Sequence, residues 1–154
     1  MRVEKDLKWK SPDMRPSVRI TSKKAINQGI LVLEAAHLPY GKGVWPSFWL
    51  TGADKKWPDS GEVDIYQGVG DNTTQNSVSY HTSGGCSYDT AAQQSGILSK
   101  VSTDCDATKH NIEACGNVDP NEKSYGAAAN SVGGGVYILW WTKKSIKVRL
   151  NILS

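Results

Sequence analysis

Apolar and polar residues alternate in short runs along the chain, and most runs are closed off by Gly, Pro, Asn or Asp. SVRITSKKAI (17–26) is rich in β-formers, and Asn27-Gln28-Gly29 turns the chain into ILVLEAAHL (30–38). That second run fits a strand or two helical turns, and Pro39 and Gly41 stop it either way. VWPSFWLTG (44–52) reads as a strand, with Pro46 at an edge or bulge position. A turn-rich loop, ADKKWPDSG, leads into EVDIYQGV (62–69), and NSVSYHTS (76–83) is the next strand by pattern. From Gly84 to Gly135 the hydrophobic runs vanish and Gly, Ser, Asn, Asp and Thr dominate, an unusual length of irregular chain for one compact domain. GVYILWW (135–141), a Thr-Lys-Lys-Ser turn and IKVRLNIL (146–153) then read as a hairpin.

Six or seven short strands and many turns predict an all-β fold, an antiparallel β-sandwich over 17–154. Residues 1–16, charged and broken by Pro12 and Pro16, read as a loose lead-in. Sandwiches often run to about 200–250 residues. The 154 residues therefore predict a partial sandwich, incomplete at both ends.

The stretch GEVDIYQGV (61–69) carries the candidate chemistry. On a regular strand Glu62 and Asp64 share one face, and Val63 and Ile65 the other. That alternation fits a strand packing its aliphatics inward and wetting its acids. The flanking Gly61 and Gly68 suggest a bulge instead. One extra residue after Ile65, with Tyr66 as the insertion, resets the parity and brings Gln67 onto the face of the two acids. Alternate positions lie about 6.6 Å apart, so the outer members are about 13 Å apart at Cα. Long side chains leaning inward approach the roughly 5–5.5 Å between carboxyl groups used for retaining glycoside hydrolysis.

Charge changes the picture little. Residues 1–24 carry +5, residues 125–154 carry +4, and the part between carries −6. No aromatic-basic pattern accompanies the basic ends, so they read as solvated surface and no nucleic-acid partner is expected. No apolar run is long enough to span a membrane, and MRVEKDLKWK is no secretory signal. Cys86, Cys105 and Cys115 form no CxxC pair, which argues against structural zinc even with His81 and His110 near them. One disulfide with one thiol left over is expected, its pairing open. No cofactor or metal is expected. Asn72-Thr73-Thr74 is a glycosylation sequon.

HLPYGKGVWPSFWL (37–50), WPDSGEVDIYQGV (57–69), YHTSGGC (80–86) and NSVGGGVYILWWTKKSIKV (130–148), in that order, resemble the fungal branch of glycoside hydrolase family 16. More narrowly they are similar to the endo-1,3(4)-β-glucanases called laminarinases. The resemblance covers about residues 15–149. It implies a jelly-roll sandwich of the concanavalin kind, acting extracellularly as a monomer, whose open cleft holds β-1,3- or mixed-linkage β-1,3(4)-glucan. Its signature is Glu-x-Asp-x-x-Glu with a bulge before the last acid. Carried over, Glu62 is the nucleophile, Asp64 the helper carboxylate, and Gln67 stands in the place of the general acid/base. His81 matches the histidine beside the cleft, and Trp45, Trp49 and Trp57 lie in the segments that line it for glucan stacking. Of Trp140 and Trp141, which point to opposite faces, at most one meets the cleft. Tyr66 is expected to pack, and His37 and His110 to be ordinary. Lys42 stands where the family carries a cysteine. The resemblance thus implies a glucan-recognising domain in which Gln67 impairs hydrolysis, with an active retaining glucanase and a fragment without function as alternatives.

Overall fold

The ambiguous run after Gly29 is a strand. Its residues alternate between a core-facing row, Leu31 and Leu33, and an outward row, Ile30 and Val32, that is 67% and 54% exposed. The computed structural model describes residues 16–54, 56–70, 73–98, 103–109 and 115–152. Residues 1–15, Asn72 of the sequon and His110 lie outside the described residues.

The elements in chain order are β1 (Gly29–Ala35), β2 (Ser47–Thr51), β3 (Glu62–Gln67), β4 (Ser77–His81), β5 (Ile97–Leu98), β6 (Cys115–Val118), α1 (Gly126–Ser131), β7 (Gly135–Trp141) and β8 (Ile146–Ile152). They form two antiparallel sheets, a three-stranded one in the order β1-β7-β8 and a five-stranded one in the order β2-β3-β4-β6-β5. The expected sandwich is present. Pro46 immediately precedes β2, outside its ladder. The β7–β8 hairpin closes on the Thr142–Ser145 turn, where Thr142 N–H donates to the Ser145 carbonyl at 2.9 Å.

The β-rich stretch 17–26 is not a strand. Val18 and Ile20 are 66% and 72% exposed there. β-branched residues express their preference only against a neighbouring strand, and this stretch has no ladder partner among the described residues. Among the described residues of 84–135 three short elements form. β6 joins β4 by the close approach of Gly116, where a Cβ would lie 2.2 Å from the Val78 carbonyl oxygen. The six residues of α1 carry no side-chain cap at Tyr125, so nothing in its composition announced a helix. The disulfide joins Cys105 to Cys115, and Cys86 is a free, exposed thiol.

The core between the sheets is built around Ile65, Tyr66, Tyr125, Tyr137 and Leu139. Tyr66 stacks on Tyr125 at 5.3 Å between ring centres and meets Tyr137 edge-on at 4.9 Å. Trp141 packs against this core, while Trp140 faces outward from the three-stranded sheet with the Lys147 ammonium 5.6 Å from its ring. Neither reaches the outer face of the five-stranded sheet, where the candidate chemistry lies.

Candidate active site

The ladder between β2 and β3 slips by one residue. Phe48 faces Tyr66 and Trp49 faces Asp64, so Ile65 has no opposite on β2. The bulge is present, and the residue it leaves unmatched is Ile65 rather than Tyr66. Its effect is to send two consecutive side chains, Ile65 and Tyr66, into the core. Gln67 thereby returns to the face of Glu62 and Asp64.

A bulge strips backbone groups of their ladder partners, and buried ones must be satisfied some other way. Asn76, 1% exposed, does this. Its Nδ2 donates to the Ile65 carbonyl at 3.0 Å, and its Oδ1 accepts from the Gln67 backbone N–H at 2.9 Å. Ser124 Oγ accepts the Asn76 backbone N–H at 2.8 Å and so fixes Asn76 in turn. Nothing in the strand pattern pointed to Asn76. The signal available was an asparagine opening a β-rich run, which is common elsewhere.

On the outer face, Asp64 is 2% exposed and its Oδ2 is the hub. It accepts from Gln67 Nε2 at 3.1 Å and from Ser79 Oγ at 3.1 Å, and His81 Nε2 lies at 3.2 Å. Gln67 Nε2 also donates to Ser79 Oγ at 2.9 Å, and its Oε1 accepts from the Trp45 indole at 3.0 Å. The amide can sit only this way round. Reversed, its carbonyl would face a carboxylate and its NH2 would face an indole N–H, which donates and never accepts. Ser79 was missed in the sequence because a serine alternating in a strand reads as surface; it stands opposite Asp64 across β3 and β4.

Glu62 faces His81 across the same pair of strands, with Oε1 3.9 Å from His81 Nε2, and its Oε2 accepts from the Trp57 indole at 2.8 Å. Burial raises the Glu62 pKa, the Asp64 charge raises it further, and His81 and the Trp57 bond pull it back. Trp57 also tilts against His81 at 5.8 Å between ring centres. Trp49 lies on the same face as Asp64, and one side of its ring is covered by the Arg19 guanidinium, 4.4 Å from the ring centre. All seven sequence candidates therefore gather on one sheet face or its rim. Glu62, Asp64 and His81 offer oxygen and nitrogen atoms within 4.8 Å of one another, a set that could hold a cation. Asp64 Oδ2 already accepts from Gln67 Nε2 and Ser79 Oγ.

Comparison with known proteins gives this face a context. Residues 1–150 match the family described as XgeA-like, catalytic GH16 domain. A probable glycosidase of Schizosaccharomyces pombe is 40% identical over 134 residues, which is 86% of this chain and 31% of that protein. A probable endo-1,3(4)-beta-glucanase of Aspergillus clavatus is 38% identical over 135 residues, 87% of this chain and 20% of that protein. Among solved structures, laminarinase 16A of Phanerochaete chrysosporium, with beta-glucans in its donor and acceptor sites, superposes with a TM-score of 0.76 at 33% identity. That superposition covers 84% of this chain and 42% of that one. An elongating family 16 beta-1,3-glucosyltransferase gives a TM-score of 0.70 at 36% identity, covering 82% and 41%. The chain thus spans less than half the length of each of these relatives.

Proposed function

Because the chain belongs to glycoside hydrolase family 16, we propose that it recognises β-1,3- or mixed-linkage β-1,3(4)-glucan along the outer face of the five-stranded sheet, with hydrolysis impaired at Gln67. The observation that carries this reading is the seating of Gln67. It occupies the third position of the bulged strand as a fully hydrogen-bonded amide beside Asp64.

Glu62 is the nucleophile in this reading. Its carboxylate attacks the anomeric carbon as the glycosidic C–O bond breaks, giving a covalent glycosyl-enzyme. The departing oxygen needs a proton, and later the attacking water must lose one. An amide performs neither transfer at ordinary pH. Asp64 and His81 shape the charge around Glu62, while the rings of Trp45, Trp49 and Trp57 suit the apolar faces of β-linked glucose. Ring stacking and hydroxyl contacts do not depend on a proton at position 67, so binding outlasts catalysis. The Cys105–Cys115 disulfide supports an extracellular, oxidising setting.

The test compares the protein with Gln67→Glu on laminarin. The expected result is binding by both and hydrolysis by the variant alone. An unaltered protein that cuts laminarin as fast as the variant would overturn the impaired reading. Failure of either to bind β-glucan would overturn the substrate class.

A further inference from the structure

We propose that two indole N–H groups act as a positioning pair in this site: Trp57 holds Glu62 by one oxygen and so fixes which oxygen attacks, while Trp45 holds the side chain at position 67. The proposal rests on reading Glu62 as the nucleophile, and it gives both tryptophans a task distinct from stacking on sugar.

The two bonds are parallel in design. Trp57 Nε1 donates to Glu62 Oε2 at 2.8 Å, and Trp45 Nε1 donates to Gln67 Oε1 at 3.0 Å. Each tryptophan comes from the segment leading into a strand of the pair, Trp45 before β2 and Trp57 before β3. Each thus reaches over the sheet face from outside the ladder. Trp45 and Trp57 are 63% and 38% exposed, so core packing does not account for them. An indole nitrogen is a donor only, which makes each bond selective for a lone pair. At Glu62 the bond is charge-assisted when the carboxylate is ionised, and it ties that state to one oxygen.

A nucleophilic carboxylate uses one oxygen. With Oε2 held by Trp57, Oε1 is the atom left on the reacting side, and His81 Nε2 lies 3.9 Å from it. The Trp57 ring also meets His81, tilted against it at 5.8 Å between ring centres. Rotation of the Glu62 carboxyl about its own axis would exchange the two oxygens; the Trp57 bond opposes that. At the other end, the Trp45 bond opposes reversal of the side chain at position 67, so that its second polar atom stays against Asp64 and Ser79. The pull of the Trp57 bond on the Glu62 pKa runs in the direction the geometry requires.

Nuclear magnetic resonance on the unaltered, isotope-labelled protein tests this without reference to activity. The Trp57 indole proton is expected to move with the same midpoint as the Glu62 carboxyl carbon when the acid is titrated. In Trp57→Phe, which keeps an aromatic face and removes the N–H, the Glu62 midpoint should rise by roughly one unit. Replacing Gln67 by Glu should in turn move the Trp45 indole signal more than any other. An indole signal of Trp57 that ignores the Glu62 titration would overturn the proposal, as would an unchanged midpoint in folded Trp57→Phe. The indole measurement in the unaltered protein decides even where the variant does not fold. Absence of glucan binding with the Trp57 response intact would instead count against the functional reading and leave the clamp standing.

Discussion

At the scale of single residues, the site is organised around an amide that behaves as a donor toward Asp64 and an acceptor toward Trp45. A glutamic acid in that place can keep both bonds only if protonated on the oxygen that faces Asp64, because two ionised carboxylates there would repel. Gln67→Glu should therefore install an acid whose proton is retained, as the leaving oxygen requires. Its laminarin hydrolysis is expected to exceed that of the unaltered protein by about 10²–10⁴-fold, the usual worth of general acid–base catalysis. Reducing-sugar release reads it directly. An aryl β-glucoside with a good leaving group needs little protonation, so the unaltered protein should attack it. Added azide, which needs no base, should speed release of the trapped glycosyl group as a glycosyl azide.

The raised Glu62 pKa has a sign that can be worked through. Attack requires the carboxylate, so activity on the aryl glucoside falls as pH drops through a midpoint above the ordinary 4.5. Position 67 contributes no descending limb at higher pH, since an amide does not titrate; one appears in Gln67→Glu. The same shift bears on stability. A folded pKa above the unfolded one means that the contribution of Glu62 is present below the unfolded pKa and lost as pH rises through the folded one. Glu62→Gln should accordingly unfold at a higher urea concentration than the parent at neutral pH. Of these residues, Glu62, Asp64 and Gln67 were legible from spacing, and His81 and the tryptophans from kinship. Ser79 and the atoms by which Trp45 and Trp57 act were not, because a hydrogen bond across strands depends on register, which one strand's sequence does not carry.

At the scale of elements, the bulge in β3 is held by a side chain from another part of the chain. Asn76→Ala would leave the Ile65 carbonyl and the Gln67 N–H without their partner, and a buried polar group so stranded costs about 1–3 kcal/mol. Urea denaturation should show a loss of that order. Aspartate at 76 keeps an acceptor for Gln67 N–H but offers no donor to Ile65, so it should recover only part of the loss. The need for a bulge could be read from the two glycines and from the parity of the acids. Its precise step could not, since Ile65 and Tyr66 are equally apolar and only the facing strand distinguishes them. The failure at 17–26 has the same root: side-chain preference for strand is expressed in pairs, and among the described residues no strand pairs with it. The short α1 gave no periodicity to detect, being less than two turns long.

At the scale of the whole molecule, two sheets meet over a core rich in tyrosine, and the segment that seemed too long to be irregular is tied by Cys105–Cys115. Closing a loop of this size stabilises by about 2–3 kcal/mol in the chain-entropy account. Reduction should lower the unfolding free energy by that amount, measured by denaturant titration with and without dithiothreitol. In the native oxidised protein a thiol reagent should label Cys86 alone. The sandwich itself was legible because short strand-like runs were closed off by turn residues along most of the chain. Which cysteines pair was not, because their spacing allows more than one arrangement and only the course of the intervening chain decides.

The slipped register of β3 has a genetic corollary. Removing one codon at position 65 or 66 would restore an unbroken pleat and still leave the glutamine on the face of the two acids; what would be lost is one of the two consecutive side chains, Ile65 or Tyr66, that the interior is built on. A base change in the glutamine codon itself leaves all of that untouched. On the proposed function, hydrolytic competence is thus written as a nearly independent letter on this scaffold, open to loss and recovery by single-base steps.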